Sequence, residues 1–340
     1  MASTIKEIEL LAGQRLMVGF EGQELNCELK WLIKDIKVAG IILFSINIVS
    51  KEQVKKLCES AQEYAKDCHR SPLIIAVDQE GGDVARLKPP DFTAFLGNPH
   101  IKDINDAQNF ASITAEELKA VDINMNFAPV VDCVPNANKM ADGFKSIMAN
   151  RAFLGTPQNI ATLGSCVIET FQKNGIMAVA KHFPGIGRTT LDSHLELPTL
   201  FAKDADKSLM ELSDLIPFKA AIKSDVAGIM LSHILYEDLD SDLPASLSYK
   251  IAKKLLRDEM GYNGVVMSDD LDMKAIKFDI KDSIRHILNA EVDIALICHK
   301  GPAIEEAFNQ IKHLISTDEK LHEKAVESAD RVKSLKMAYL

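Results

Sequence analysis

Short runs of aliphatic and β-branched residues recur along the whole chain, separated by longer stretches whose apolar positions follow helical spacing. The runs lie at Arg15–Phe20, Gly40–Phe44, Leu73–Val77, Ile123–Pro129, Met177–Lys181, Gly228–Ser232, Gly264–Ser268 and Asp293–Cys298. Between them the spacing predicts helices near Leu25–Ile36, Glu52–Lys66, Asp106–Ala120, Gln158–Lys173, Lys207–Lys223, Tyr249–Glu259 and Asp282–Ala290, with two more over about residues 303–338. Runs such as LIIAV and GVVM show no alternation of apolar and polar positions, which suits parallel strands covered on both faces. Eight strands alternating with helices predict an α/β fold, a single-domain (β/α)8 barrel of the TIM type over residues 1–340. No GxGxxG turn follows the first run, so a dinucleotide-binding sheet lacks its signature.

A barrel of this kind gathers the residues that follow its strands around one mouth. Six runs end in ionisable groups: Asp78, Asp132, Lys181 with His182, His233, Asp269 and His299. Any one of these could cap a helix or face solvent, but their recurrence at equivalent positions points to a shared pocket. The loop KHFPGIGRTTLDSH, residues 181–194, adds Arg188, Asp192 and His194 to Lys181 and His182. Asp192 and His194 are two apart, so an extended backbone projects both to one side, where the carboxylate can orient the imidazole for proton transfer. In the segment MSDDLDMKAI, Asp269 and Asp270 are adjacent, so a regular strand end would turn only one of them squarely toward the pocket. Asp270 fits an N-cap of the following segment better than Asp269 does.

Composition narrows the classes further. The 340 residues are 47% hydrophobic, and 39 basic against 49 acidic residues leave a formal charge of −10. No basic stripe is present, which argues against nucleic acid as a partner. The opening MASTIKEIELLAGQ lacks the features of a secretory leader, and no run of about 18 apolar residues occurs. These features predict a cytoplasmic protein without a membrane partner, a monomer or weak oligomer. The six cysteines are scattered without metal-ligand spacing and read mostly as reduced, buried core residues.

Several long motifs then occur in one order: VDQEGGDVARL at 77–87, FAPVVD at 127–132, NRAF at 150–153, KHFPGIG…DSH at 181–194 and SDDLDM at 268–273. Over about Leu11 to Cys298 the chain resembles the single-domain β-N-acetylglucosaminidases of glycoside hydrolase family 3, the NagZ type. The resemblance implies a retaining β-N-acetylhexosaminidase that releases terminal N-acetylglucosamine, with Asp269 as nucleophile, His194 as acid/base and Asp192 orienting His194. It assigns Asp78, Arg86, Arg151, Lys181 and His182 to the sugar, and it implies no metal and no organic cofactor. The substrate it implies is a small carbohydrate or muropeptide, N-acetylglucosamine on anhydro-N-acetylmuramic acid, as in cell-wall recycling.

Two positions depart from the family pattern. Asp83 stands where an arginine is common, which bears on the charge near the sugar, and Ile186 stands where a histidine is common, which bears on the posture of the loop. Asp132 and His233 could either touch the sugar or support those that do. Three other readings remain open from the residues. A substrate-assisted hexosaminidase would use Asp269 and Asp270 only as supports. A metal-dependent barrel hydrolase would take His182, Asp192, His194, His233 and Asp269 as ligands. A non-catalytic sugar binder could occupy the same scaffold.

Overall fold

The structure is a computed structural model and describes residues 4–135, 146–191, 196–201 and 206–340. Eight parallel strands close into a barrel in chain order: β1 (Leu16–Val18), β2 (Gly40–Leu43), β3 (Ile74–Val77), β4 (Met125–Asn126), β5 (Met177–Phe183), β6 (Gly228–Leu231), β7 (Val265–Asp270) and β8 (Ile294–Ile297). β8 returns to β1 with Leu16 opposite Ala295, which completes the ring. Each predicted strand is therefore present, although β4 pairs over only two residues of the longer run at 123–129.

The strands are uniformly apolar because both faces are buried. Met17, Ile42, Ile74, Met125, Met177, Val179, Met230, Val265, Met267 and Ile294 fill the interior, while the other face packs on the helices. At the bottom, Val332 of the last helix (Glu319–Tyr339) joins that interior cluster, and Leu335 and Tyr339 pack against it. The C-terminal helices thus pack into the barrel's core clusters.

Helix starts follow local chemistry. Ser50, Asp103, Thr156 and Asp279 each accept a hydrogen bond from the backbone N–H three residues on, satisfying a donor that the first turn leaves free. The first helix, Ile5–Gly13, was not among the predicted elements; Thr4 and Glu7 close a reciprocal capping box at its start. The predicted helix at 25–36 splits into Cys27–Trp31 and a π-helical segment Leu32–Ile36, which ends at Lys37 with φ 64°. The segment at 207–223 likewise divides into Lys207–Glu211 and Leu215–Lys223.

All six cysteines are free, but only Cys58, Cys133 and Cys298 are buried; Cys27 is exposed and the other two are half-buried, so the reading of most as core residues holds for half of them. No described helix is long and apolar enough to cross a membrane.

Candidate active site

Where the strands end at their C-terminal edge, a cavity of about 270 Å3 opens at the barrel mouth. Asp78, Arg86, Arg151, Lys181, His182 and Asp269 all line it, so six of the eight residues proposed from the sequence converge on one space. The remaining two, Asp192 and His194, lie outside the described residues. Val84 and Arg86 reach the cavity from a small antiparallel hairpin, Gln79–Gly81 with Val84–Ala85, which follows β3.

One wall is a network of compensated charges. Lys181, 2% exposed, lies 2.7 Å from Asp78 Oδ1 and 2.7 Å from Glu80 Oε1. Glu80 in turn binds Arg151 through both oxygens, with Nη2 at 2.7 Å and Nε at 3.0 Å. Arg86 approaches Asp78 Oδ2 at 3.5 Å and lies over the Phe44 ring. Burial by itself would raise the Glu80 carboxyl, yet Lys181 and Arg151 pull it down to about 2. Burial would likewise lower the Lys181 ammonium, and Asp78 and Glu80 hold it above its ordinary value. Glu80 itself does not border the cavity; it fixes two cations that do.

Glu80 was not among the proposed site residues, although it sits inside the motif at 77–87. Its signal is the spacing Asp78-x-Glu80: in extended backbone, carboxylates two apart face one side, and two buried carboxylates there demand cations opposite.

His182 stands beside Lys181 in the same strand, and both border the cavity because the pairing of β5 with β6 slips between Lys181 and Phe183. Asp132, fully buried, accepts from His182 Nδ1 at 2.8 Å and from the Ile186 N–H at 2.8 Å. That fixes the tautomer and leaves Nε2 for the cavity. Asp132 therefore positions His182 and anchors the loop, and does not border the cavity.

Ile186, the departure in the loop, keeps its backbone bond to Asp132 and packs its side chain into the core. Gly185, at φ 125°, lies where a Cβ would come 2.9 Å from Asp214 Cβ, so only glycine lets the loop pass there. Arg188 then ties it to Asp214 at 3.0 Å and to Ser213 Oγ at 2.8 Å.

On the opposite wall stands Asp269. Burial raises its carboxyl, but the imidazoles of His233 and His182, the Asp270 N–H and the Lys181 ammonium outweigh that and hold it below its ordinary value. His233 is buried beneath it: Nε2 donates to the Asp270 carbonyl at 2.8 Å, so Nδ1 accepts from Ser246 Oγ at 2.6 Å. Burial lowers its basicity, and with both nitrogens engaged it is a support, not a ligand to substrate.

Asp270 departs from both expectations placed on it. It borders the cavity together with Asp269, because the pairing of β7 with β8 is irregular between Met267 and Asp270. No helix starts behind it; its Oδ1 accepts the N–H groups of Asp272 and Cys298, tying the ends of β7 and β8 together. Burial and neighbouring carboxylates raise its pKa to about 6.

At the rim, exposed His299 stacks on Phe44 with ring centroids 6.4 Å apart and lies 3.5 Å from Asp270 Oδ2 and 3.4 Å from Asp272 Oδ2. Asp83 sits exposed in the hairpin turn and does not border the cavity, so its inverted charge acts at most from the rim.

Of the ligand set of the metal reading, Asp192 and His194 lie outside the described residues, and the two described imidazoles are engaged. His233 has no free ring nitrogen, and His182 Nδ1 is held by Asp132. Among the described residues the group with ligand spacing is Asp270, Asp272 and His299, largely open to solvent.

The chain is 35% identical over 337 residues to β-hexosaminidase A of Pseudoalteromonas piscicida, covering 91% of this chain and 55% of that one. It superposes with a TM-score of 0.91 on a glycoside hydrolase family 3 β-N-acetylglucosaminidase from Paenibacillus sp. str. FPU-7, at 33% identity over 99% of this chain and 63% of that one. The chain thus spans little more than half of the first relative and less than two thirds of the second. Native NagZ from Neisseria gonorrhoeae superposes with a TM-score of 0.75 at 27% identity, covering 94% of this chain and 97% of that one. The pattern of the glycosyl hydrolase family 3 N-terminal domain runs through residues 6–335, and the chain belongs to that family.

Proposed function

We propose that the protein is a retaining β-N-acetylhexosaminidase that removes terminal N-acetylglucosamine, with Asp269 as nucleophile. The observation that carries this reading is a half-buried carboxylate, its pKa lowered by the positive groups around it, facing a cation-rich wall across a cavity of about 270 Å3. Asp78, Lys181, Arg151 and Arg86 offer charge-assisted hydrogen bonds to hydroxyl and acetamido groups, and their mutual pairing holds them in place before the sugar arrives.

In the proposed reaction a carboxylate oxygen of Asp269 attacks the anomeric carbon as the glycosidic C–O bond breaks. His194, oriented by Asp192, gives its proton to the departing oxygen. Water then attacks the glycosyl ester, His194 takes the water proton, and Asp269 leaves as carboxylate. An imidazole in this role is neutral once deprotonated, so it does not repel the Asp269 charge. Both groups of the dyad lie outside the described residues, and their roles rest on the DSH motif alone.

The natural substrate proposed is a muropeptide fragment bearing N-acetylglucosamine on anhydro-N-acetylmuramic acid, met in the cytoplasm. Likeness to NagZ-type enzymes supports that choice.

Rates on 4-nitrophenyl N-acetyl-β-glucosaminide and on the matching β-glucoside test the reading, for wild type and Asp269→Ala, with and without EDTA. Turnover selective for the N-acetyl sugar, indifferent to EDTA and lost in the variant is expected. Turnover that survives the substitution would remove Asp269 from the role. A wild type that binds N-acetylglucosamine without turnover would leave a sugar binder.

A further inference from the structure

At the opposite end of the barrel from the active site lies a larger cavity of about 590 Å3, between the first helix, the segment 69–72 and the last helix. Its size falls within the range of about 300–1,000 Å3 typical of small-molecule sites. Leu10, Leu11, Pro72 and Met337 give it apolar walls. Lys336, Arg70 and Lys333 also line it, with exposed Asp330 as its one acidic side chain and Leu340 beside them, in a protein whose formal charge is −10.

Lys336 is 4% exposed. Its Nζ meets two neutral acceptors, Gln14 Oε1 at 3.1 Å and Ser71 Oγ at 3.3 Å, and no carboxylate. An ammonium has three donors, so one is left over. Buried ammonium groups are normally paired, since an uncompensated charge in a protein interior is costly. Arg70, on the same cavity, has a buried Nε without a partner.

We propose that this lower cavity is a binding site for an aliphatic carboxylate, an oxygen meeting Lys336 Nζ and the hydrocarbon tail lying along Leu10, Leu11 and Met337. The donor left over on Lys336 matches a carboxylate oxygen, and the apolar walls match a hydrocarbon tail. Bound carboxylate would also return a counter-charge to Lys336. Burial alone has brought that group down to about 7; no neighbouring charge contributes. The other titratable side chains on the cavity are His69, Arg70, Asp330 and Lys333.

Calorimetric titration of the full chain with octanoate, with octan-1-ol and with inorganic phosphate tests the site. Octanoate is expected to bind and both controls to fail. Near pH 8, where the empty Lys336 is largely neutral, binding should take up close to one proton, read from two buffers of different ionisation enthalpy; near pH 6 uptake should vanish. Lys336→Met keeps the length and apolar body of the side chain, should fold at least as well, and should weaken octanoate at least tenfold without altering glycosidase turnover. Octanoate binding unchanged in K336M, phosphate binding as tightly as octanoate, or no octanoate binding by the wild type would each overturn the proposal.

Discussion

The two walls of the active-site cavity carry similar numbers of charges but treat them in opposite ways. On the side of β3 and β5, two carboxylates, Asp78 and Glu80, are matched by Lys181, Arg151 and Arg86 within hydrogen-bond or ion-pair reach. On the side of β7 and β8, Asp270 and Asp272 share one exposed imidazole, His299, while Asp269 is served by His233, His182 and Lys181. The matched wall is rigid and suited to holding a polar sugar. On the acidic wall Asp270 is the under-compensated carboxylate and is driven up to about 6, while its neighbour Asp269 is held low. Environments that push adjacent carboxyls apart are the means by which one residue is kept as an ionised nucleophile.

The largest expected effect lies on the acidic wall. Asp269→Asn should lower kcat on the order of 10^4-fold, with the fold and sugar binding retained, because only the reacting atom is lost. Steady-state rates together with N-acetylglucosamine binding check this; loss of binding alongside turnover would make Asp269 a general support.

Next comes Glu80→Gln on the matched wall. Removing one partner of a buried charge network costs about 3–5 kcal/mol, so the melting temperature should fall clearly. KM should rise more than kcat falls, because Arg151 and Lys181 lose their positions while Asp269 keeps its own. The wild-type contribution of Glu80 is full above its ordinary carboxyl value of 4.5 and is lost as pH falls from there toward about 2. Stability of the variant should therefore depend less steeply on acid in that window. Equal pH profiles for the two proteins would show that the pairing contributes little.

Asp270→Asn should act in the opposite sense. A carboxyl raised from 3.8 to about 6 favours the proton-bound folded state, so its ionisation destabilises the fold progressively as pH rises through that interval. The amide can still accept the Asp272 and Cys298 N–H groups, so the variant should melt higher than wild type at pH 7 and equal to it near pH 3. A lower melting temperature at pH 7 would mean that the charged form is favoured.

His299→Ala should change least. The imidazole is 74% exposed, and exposed ion pairs are worth at most about 1 kcal/mol. A loss of no more than about fivefold in kcat/KM is expected, appearing with extended leaving groups and absent with small aryl ones.

The barrel was legible in the sequence because its strands are apolar on both faces and its helices have caps, so local chemistry and global fold agree. The residues after the strands were legible for the same reason: the barrel fixes where they must point. What escaped depended on departures from regular geometry. Asp270 was misread because an irregular pairing with β8 turns it inward and its acceptor oxygen to two backbone N–H groups. Glu80 was overlooked because it follows the strand end by three residues in a hairpin whose position over the mouth is set by tertiary contacts. The first helix could have been found from Thr4 and Glu7, a signal present in the chain. Lys336 could not, since nothing in an amphipathic helix reveals which lysine its packing beneath a barrel will bury.

The central claim is that Asp269 becomes covalently joined to the sugar. A 5-fluorinated N-acetylglucosaminyl fluoride slows both chemical steps while its good leaving group favours the first, so the intermediate accumulates. Mass measurement of the intact protein followed by peptide mapping should show one added fluorosugar on the peptide containing Asp269, and none in the Asp269→Asn protein. Turnover of aryl N-acetylglucosaminide by the wild type without any adduct, or an adduct on another residue, would contradict the account.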